Sequence, residues 1–149
     1  MNQLCKSLDN VIRKVHKVER KYELMQKNIE HPSLKRKLTQ MMKDRKRFKR
    51  GLRYCINSLS DAKQKINPLQ KSSEMKLGIV DDNTHLHPSV VIKDAINESR
   101  KVEQAYKKAL KNNYFPPRIS QLLLNQKNKI KNQQRMLMGF RNELGYVQS

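Results

Sequence analysis

Between Leu4 and Ile29 the apolar residues fall at Leu4, Leu8, Val11, Val15, Val18, Tyr22, Met25 and Ile29. The spacing alternates four and three without interruption. That is a heptad repeat with both seam positions filled, so the stretch predicts one long amphipathic helix with a narrow apolar stripe. Such a stripe is stable only when other helices cover it, because packing supplies most helical stability in a folded protein. The remainder of the chain must therefore supply the partners.

The first helix is expected over residues 2–30, ending at His31-Pro32. Proline suits the first position of a new helix, where its missing N–H had no partner to lose. The second helix is expected over residues 32–66. Its stripe is Leu34, Leu38, Met41, Arg45, Phe48, Leu52, Cys55, Leu59, Ala62 and Ile66, with Arg45 the one polar intruder. Asn67-Pro68 closes it, since the residue before a proline is pushed out of the helical region. His87-Pro88 opens a third helix over residues 88–112, with Ile92, Ala95, Ser99, Val102, Tyr106 and Ala109 on its stripe. Pro116-Pro117 opens a fourth over residues 117–145, carrying Ile119, Leu123, Gln126, Ile130, Gln133, Leu137, Phe140 and Leu144.

Residues 67–87 keep no period and carry Ser72, Ser73, Gly78, Asp81, Asp82 and Asn83, all turn formers. This is long for a connection, which is usually about 5 residues. A crossover along the bundle would need the length: the second helix would measure roughly 50 Å at 1.5 Å per residue. The two halves also echo each other, with a tyrosine ten residues before a proline in each: Tyr22 and Pro32, Tyr106 and Pro116. The expected fold is all-α: a single-domain four-helix bundle of ferritin-like connectivity, made of two helical hairpins with a long crossover between helices 2 and 3.

Several short runs strengthen this. They are Lys21-Tyr22-Glu23, His31-Pro32-Ser33-Leu34 and Asp44-Arg45-Lys46-Arg47-Phe48, with Ala105-Tyr106, Pro116-Pro117 and Gln126 in the second half. Together they resemble a bacterial ferritin-like family of unknown function, in which Gly-Tyr-Glu and Asp-Pro-x-Leu stand at the corresponding places. The resemblance implies the bundle and no activity. The chain departs from the pattern at Lys21, where the family has glycine, and in its basic surface.

Lys and Arg number 33 against 13 Asp and Glu, a formal net charge of +20. That excess generates a positive field favouring polyanions. The lysine- and asparagine-rich composition of an AT-rich genome would produce the same excess. The N-terminus is polar, and no apolar run approaches the about 20 residues of a membrane span. With only Cys5 and Cys55, there is no disulfide framework. The expectation is a cytoplasmic protein with reduced thiols, although an antiparallel first hairpin would bring Cys5 and Cys55 to one end.

No catalytic signature is present. A ferritin-like di-metal centre needs a Glu from each of two helices and a Glu-x-x-His from each of the others. The four histidines are His16, His31, His85 and His87, none within helix 2 or helix 4. No metal and no cofactor are expected. His85-x-His87 could hold a surface metal, but His87 is better placed as a helix cap. His16 and Glu19 share a face without closing a site, and solvation is expected for both.

Two groups of residues stand out. Glu19, Arg45, Ser99, Gln126 and Gln133 would form a mid-bundle polar cluster, either a small pocket or a specificity device. The latter reading pairs Arg45 with Glu19 and the two glutamines with each other. Ten basic residues lie between Lys35 and Arg53 against Asp44 alone. Of these, Lys35, Lys43, Lys46, Lys49, Arg50 and Arg53 would make a polyanion-binding face. The expected role is a non-enzymatic structural or interaction protein. The alternatives are nonspecific nucleic-acid or other polyanion binding through helix 2, and a metal protein with a non-standard site. Nucleic acid, an acidic protein and a second copy of the chain are the partner classes left open.

Overall fold

Among the described residues the chain forms four helices, and Asn2, His31 and His87 cap the first three where their apolar stripes begin. The structure, a computed structural model, describes residues 2–60 and 87–148, with side chains as far as Glu143. Helix α1 spans Gln3–Lys27. The Asn2 side chain accepts from Cys5 N–H at 2.7 Å, satisfying one of the first-turn donors that no helix can pair internally. α1 stops short of the expected residue 30 because Asn28 leaves the helical conformation and its Nδ2 donates back to the Leu24 carbonyl at 3.0 Å.

Helix α2 spans Pro32–Leu59, with proline in its first turn. Before it, His31 acts as cap, its Nδ1 accepting from Leu34 N–H at 3.1 Å. α2 ends at Leu59 among the described residues, and the expected stretch over residues 61–66 lies outside them. Ser60 adopts extended backbone, and the Ser58 and Ser60 hydroxyls donate to nearby carbonyls. Serines compete with the helix in just this way. The expected crossover over residues 67–87 lies outside the described residues, His87 excepted. Helix α3 spans Pro88–Asn112, as expected, and is capped by His87 through Ser89 N–H at 3.1 Å. Helix α4 spans Pro117–Gln148. No strand occurs among the described residues.

Cross-helix hydrogen bonds give the helix directions. Cys5 Sγ reaches the Ile56 carbonyl near one end of α1, and Gln26 bonds Thr39 near the other, so α1 and α2 are antiparallel. Tyr22 donates to the Ala95 carbonyl at 3.0 Å and Asn113 to Ser7 at 2.7 Å, so α1 and α3 are antiparallel too. It follows that α2 and α3 run in the same direction. Their partner α4 opposes both: Gln126 and Gln133 bond Phe48 and Asp44 of α2, and Gln126 and Gln134 bond Tyr106 and Glu103 of α3.

The seams meet in one core. Leu8, Val15, Leu34, Leu38, Leu52, Ile92, Leu123 and Ile130 are fully enclosed. Each such side chain contributes about 1.5–3 kcal/mol relative to exposure. Cys5 and Cys55 are both buried in this core as free thiols. Burial raises the pKa of each, which keeps them protonated and poor nucleophiles.

Candidate functional site

Halfway along the bundle the seam changes character. Arg45 occupies a stripe position of α2 and therefore points inward, where it is 0% exposed. Its guanidinium carbon lies 5.6 Å from the centre of the Tyr22 ring and 6.0 Å from that of Phe48. Nη2 donates to Ser99 Oγ at 3.4 Å, while Nε and Nη1 have no hydrogen-bond partner among the described residues. Gln134 donates to the same serine at 3.3 Å and to Glu103 at 3.1 Å. Below this group Tyr106 donates to Gln126 at 2.6 Å, and Gln126 passes a hydrogen bond on to the Phe48 carbonyl. Gly51 makes that approach feasible: a Cβ there would stand 3.2 Å from Gln126 Nε2. Burial pushes both phenol pKa values up, only partly opposed by the positive charge of Arg45. The layer thus sets a buried guanidinium and two protonated phenols beside the Glu103 carboxylate, which Gln134 holds.

Glu19 is not the partner of Arg45, contrary to expectation. It pairs with Lys49, whose Nζ also lies 3.0 Å from His16 Nδ1. Direction rather than level decides this. Glu19 follows the seam residue Val18, and Lys49 follows the seam residue Phe48. Both therefore sit on the flanks beside the seam, where α1 and α2 meet, as charged residues do beside a coiled-coil stripe. Nor do the glutamines bond each other, since they lie seven residues apart on α4. Gln133 donates to Asp44 at 2.8 Å, and Lys129 reaches the same carboxylate at 3.5 Å. Of the five expected cluster members, only Arg45 and Ser99 touch.

Lys49, Asp44, Glu103 and Gln134 belong to this buried polar set, with the half-buried His16 beside it, and the sequence does not single them out. The available signal was the flank position of each beside a seam residue. Burial raises the Glu103 pKa, but hydrogen bonds from Gln134 and Lys107 outweigh it and hold the carboxyl below its ordinary value.

The expected polyanion face on α2 is reduced. Lys35, Lys43, Lys46 and Arg50 are exposed. Lys49 is buried against Glu19 and drops out, and Arg53 is half-buried. Among the described residues no group of three or more His, Cys, Asp or Glu could hold a metal ion. His85 lies outside them. Among the same residues no helix is long and apolar enough to cross a membrane.

His16, expected to be solvated, instead lies in the α1–α2 interface. Its pKa is lowered, first by burial and then by Lys49, with Arg20 and Arg53 adding to the effect and Glu19 opposing it. A folded-state pKa below the unfolded value means that the unfolded chain binds more protons. Stability is then intact above the unfolded value of about 6.5 and declines as pH falls through it. Urea midpoints should therefore fall between pH 7 and pH 5 in the native chain and stay flatter in His16→Asn. Equal slopes in the two would remove His16 as the cause. The carboxylates with lowered pKa, Glu98 and Glu103, act in a separate window, below about 4.5.

No family model and no curated protein matches the chain.

Proposed function

We propose that the chain is a metal-free, ferritin-like four-helix bundle that works by binding other molecules rather than by catalysis. The observation that carries this is Arg45. In di-metal bundles of this connectivity, carboxylates and imidazoles from facing helices converge on two cations in the core. Here the core at mid-length is filled by a guanidinium between two aromatic rings. A second fixed cation, the Lys49 ammonium, stands between His16 and Glu19, where a metal ion would otherwise bridge imidazole and carboxylate. Divalent cations are repelled by both. The common direction of α2 and α3 is compatible with ferritin-like connectivity. The Tyr22, Pro32 and Phe48 motifs point the same way, and the two reduced thiols suit the cytoplasm.

Metal analysis tests this reading. After incubation with ferrous iron, manganese or zinc and removal of excess, the chain should retain far less than one ion. Two ions per chain held by core side chains would overturn the proposal.

A second reading makes the bound molecule a polyanion, nucleic acid before others. The net charge of +20 favours it. Phosphate contacts release condensed counterions, so affinity for duplex DNA should fall on a log–log plot by about 0.9 per contact as salt rises.

A further inference from the structure

We propose that the groove between α1 and α3 is the nucleic-acid site, gripping the phosphate backbone of a duplex from two sides. This rests on the polyanion reading but moves the site away from α2. The groove is open to solvent and has a volume of about 890 Å³. Asn113, bonded to Ser7 at 2.7 Å, ties the two helices together near one end, and the Lys21–Glu98 ion pair at 2.7 Å lies beyond the other. Small side chains make it deep: Ala105 and Ala109 of α3 lie in it with Val11 of α1.

Five lysines and no carboxylate line it: Lys14 from α1, and Lys101, Lys107, Lys108 and Lys111 from α3. Two of them already have partners, Lys101 with Glu98 and Lys107 with Glu103, each at 3.2 Å. Lys14, Lys108 and Lys111 are exposed and form no ion pair with a described residue. Gln3, Asn10 and Gln104 stand among them with amide donors for further phosphate oxygens.

Shape separates this groove from the rival face. A cleft lined by one sign of charge focuses the field and concentrates the counter-charge within it. On α2 the exposed lysines stand on one convex helix, and the concavity beside Lys35, Arg36 and Lys43 is smaller, about 570 Å³. The kind of polyanion follows from what else lines the groove. Its cations are all lysines, which address phosphate oxygens as point charges without the two-pronged geometry of arginine. It contains no aromatic ring, so unpaired bases have nothing to stack on. A duplex, which presents phosphates and hides its bases, fits best, and its sequence should matter little.

The test compares two triple variants of the full chain, Lys14→Glu/Lys108→Glu/Lys111→Glu and Lys43→Glu/Lys46→Glu/Arg50→Glu, on a short DNA duplex across a salt series. All six positions are exposed, and circular dichroism should show unchanged helix content. The groove variant should lose at least about tenfold in affinity at low salt, and its log–log slope should be shallower by about 2.7, three contacts at 0.9 each. The α2 variant should lose less than about threefold. Equal losses would overturn the groove and leave the polyanion reading standing on the whole surface. A native chain that fails to bind at about 50 mM salt, where phosphate contacts are strong, would overturn both. Polyglutamate of matched charge, bound as tightly and lost equally in the groove variant, would reassign the groove to an acidic protein and overturn the duplex.

Discussion

Glu19→Leu should destabilise the fold by about 3–5 kcal/mol, the cost of leaving one member of a buried ion pair without its partner. The pair lies inside the α1–α2 interface, its side chains 10% exposed at Lys49 and 5% at Glu19. Solvent therefore screens it little, unlike a surface pair worth about 0–1 kcal/mol. His16 Nδ1, 3.0 Å from Lys49 Nζ, can still accept from the stranded ammonium, which places the effect toward the lower end of that range. Lys49→Met should be comparably harmful, since Glu19 Oε2 already has no hydrogen-bond partner among the described residues. The double variant Glu19→Leu/Lys49→Met should recover most of the loss, because no charge is then left buried alone. Urea unfolding of the four proteins measures the coupling directly. Additive losses in the double variant, or a single-variant cost below about 1 kcal/mol, would show that the pair behaves as a surface contact.

This ion pair also marks how far the sequence could be read. The four-three stripes of α1 and α2 identify Leu8, Val15, Leu34, Leu38 and Leu52 as core, and all five are enclosed. Pro32, Pro88 and Pro117 mark three helix starts. Periodicity fixes which way a residue faces along its own helix. It does not fix what stands opposite. Glu19 and Arg45 are level along the hairpin, so pairing them was reasonable on height alone. They do not meet because one lies on the flank and the other on the seam. Charge counting alone puts Lys49 on the basic surface, yet one residue past Phe48 it turns into the interface rather than out to solvent. The groove between α1 and α3 was equally hidden. Lys14 and Lys108 are far apart in the chain, and only the antiparallel packing of those helices brings them to one cleft. The end of α2 depended on the local bonds of Ser58 and Ser60, which the apolar stripe running on through Ala62 and Ile66 obscures.

Arg45→Met should raise stability by about 1–4 kcal/mol, the range seen when buried charges give way to apolar side chains of similar volume. Three contacts oppose the gain. The Tyr22 and Phe48 rings attract the guanidinium, and a desolvated cation–π contact is worth about 2 kcal/mol. The hydrogen bond to Ser99, at 3.4 Å, is long and adds little. Against them stands the desolvation of a full charge, several kcal/mol per ion even after relaxation. Nε and Nη1 have no described partner to offset it, and the nearest carboxylates are engaged elsewhere: Glu19 by Lys49, Asp44 by Gln133 and Lys129, Glu103 by Gln134 and Lys107. Methionine is flexible enough to fill the space between two rings and keeps favourable sulfur–aromatic contact there. Ser99 retains a hydrogen bond from Gln134. For a chain of this size each kcal/mol moves the Tm by about 2–4 °C, so calorimetry should register a rise of several degrees, with helix content unchanged. A fall in Tm would mean that a counter-charge reaches the guanidinium in solution. Arg45 would then be half of a buried pair, and the core would owe its charge balance to that partner.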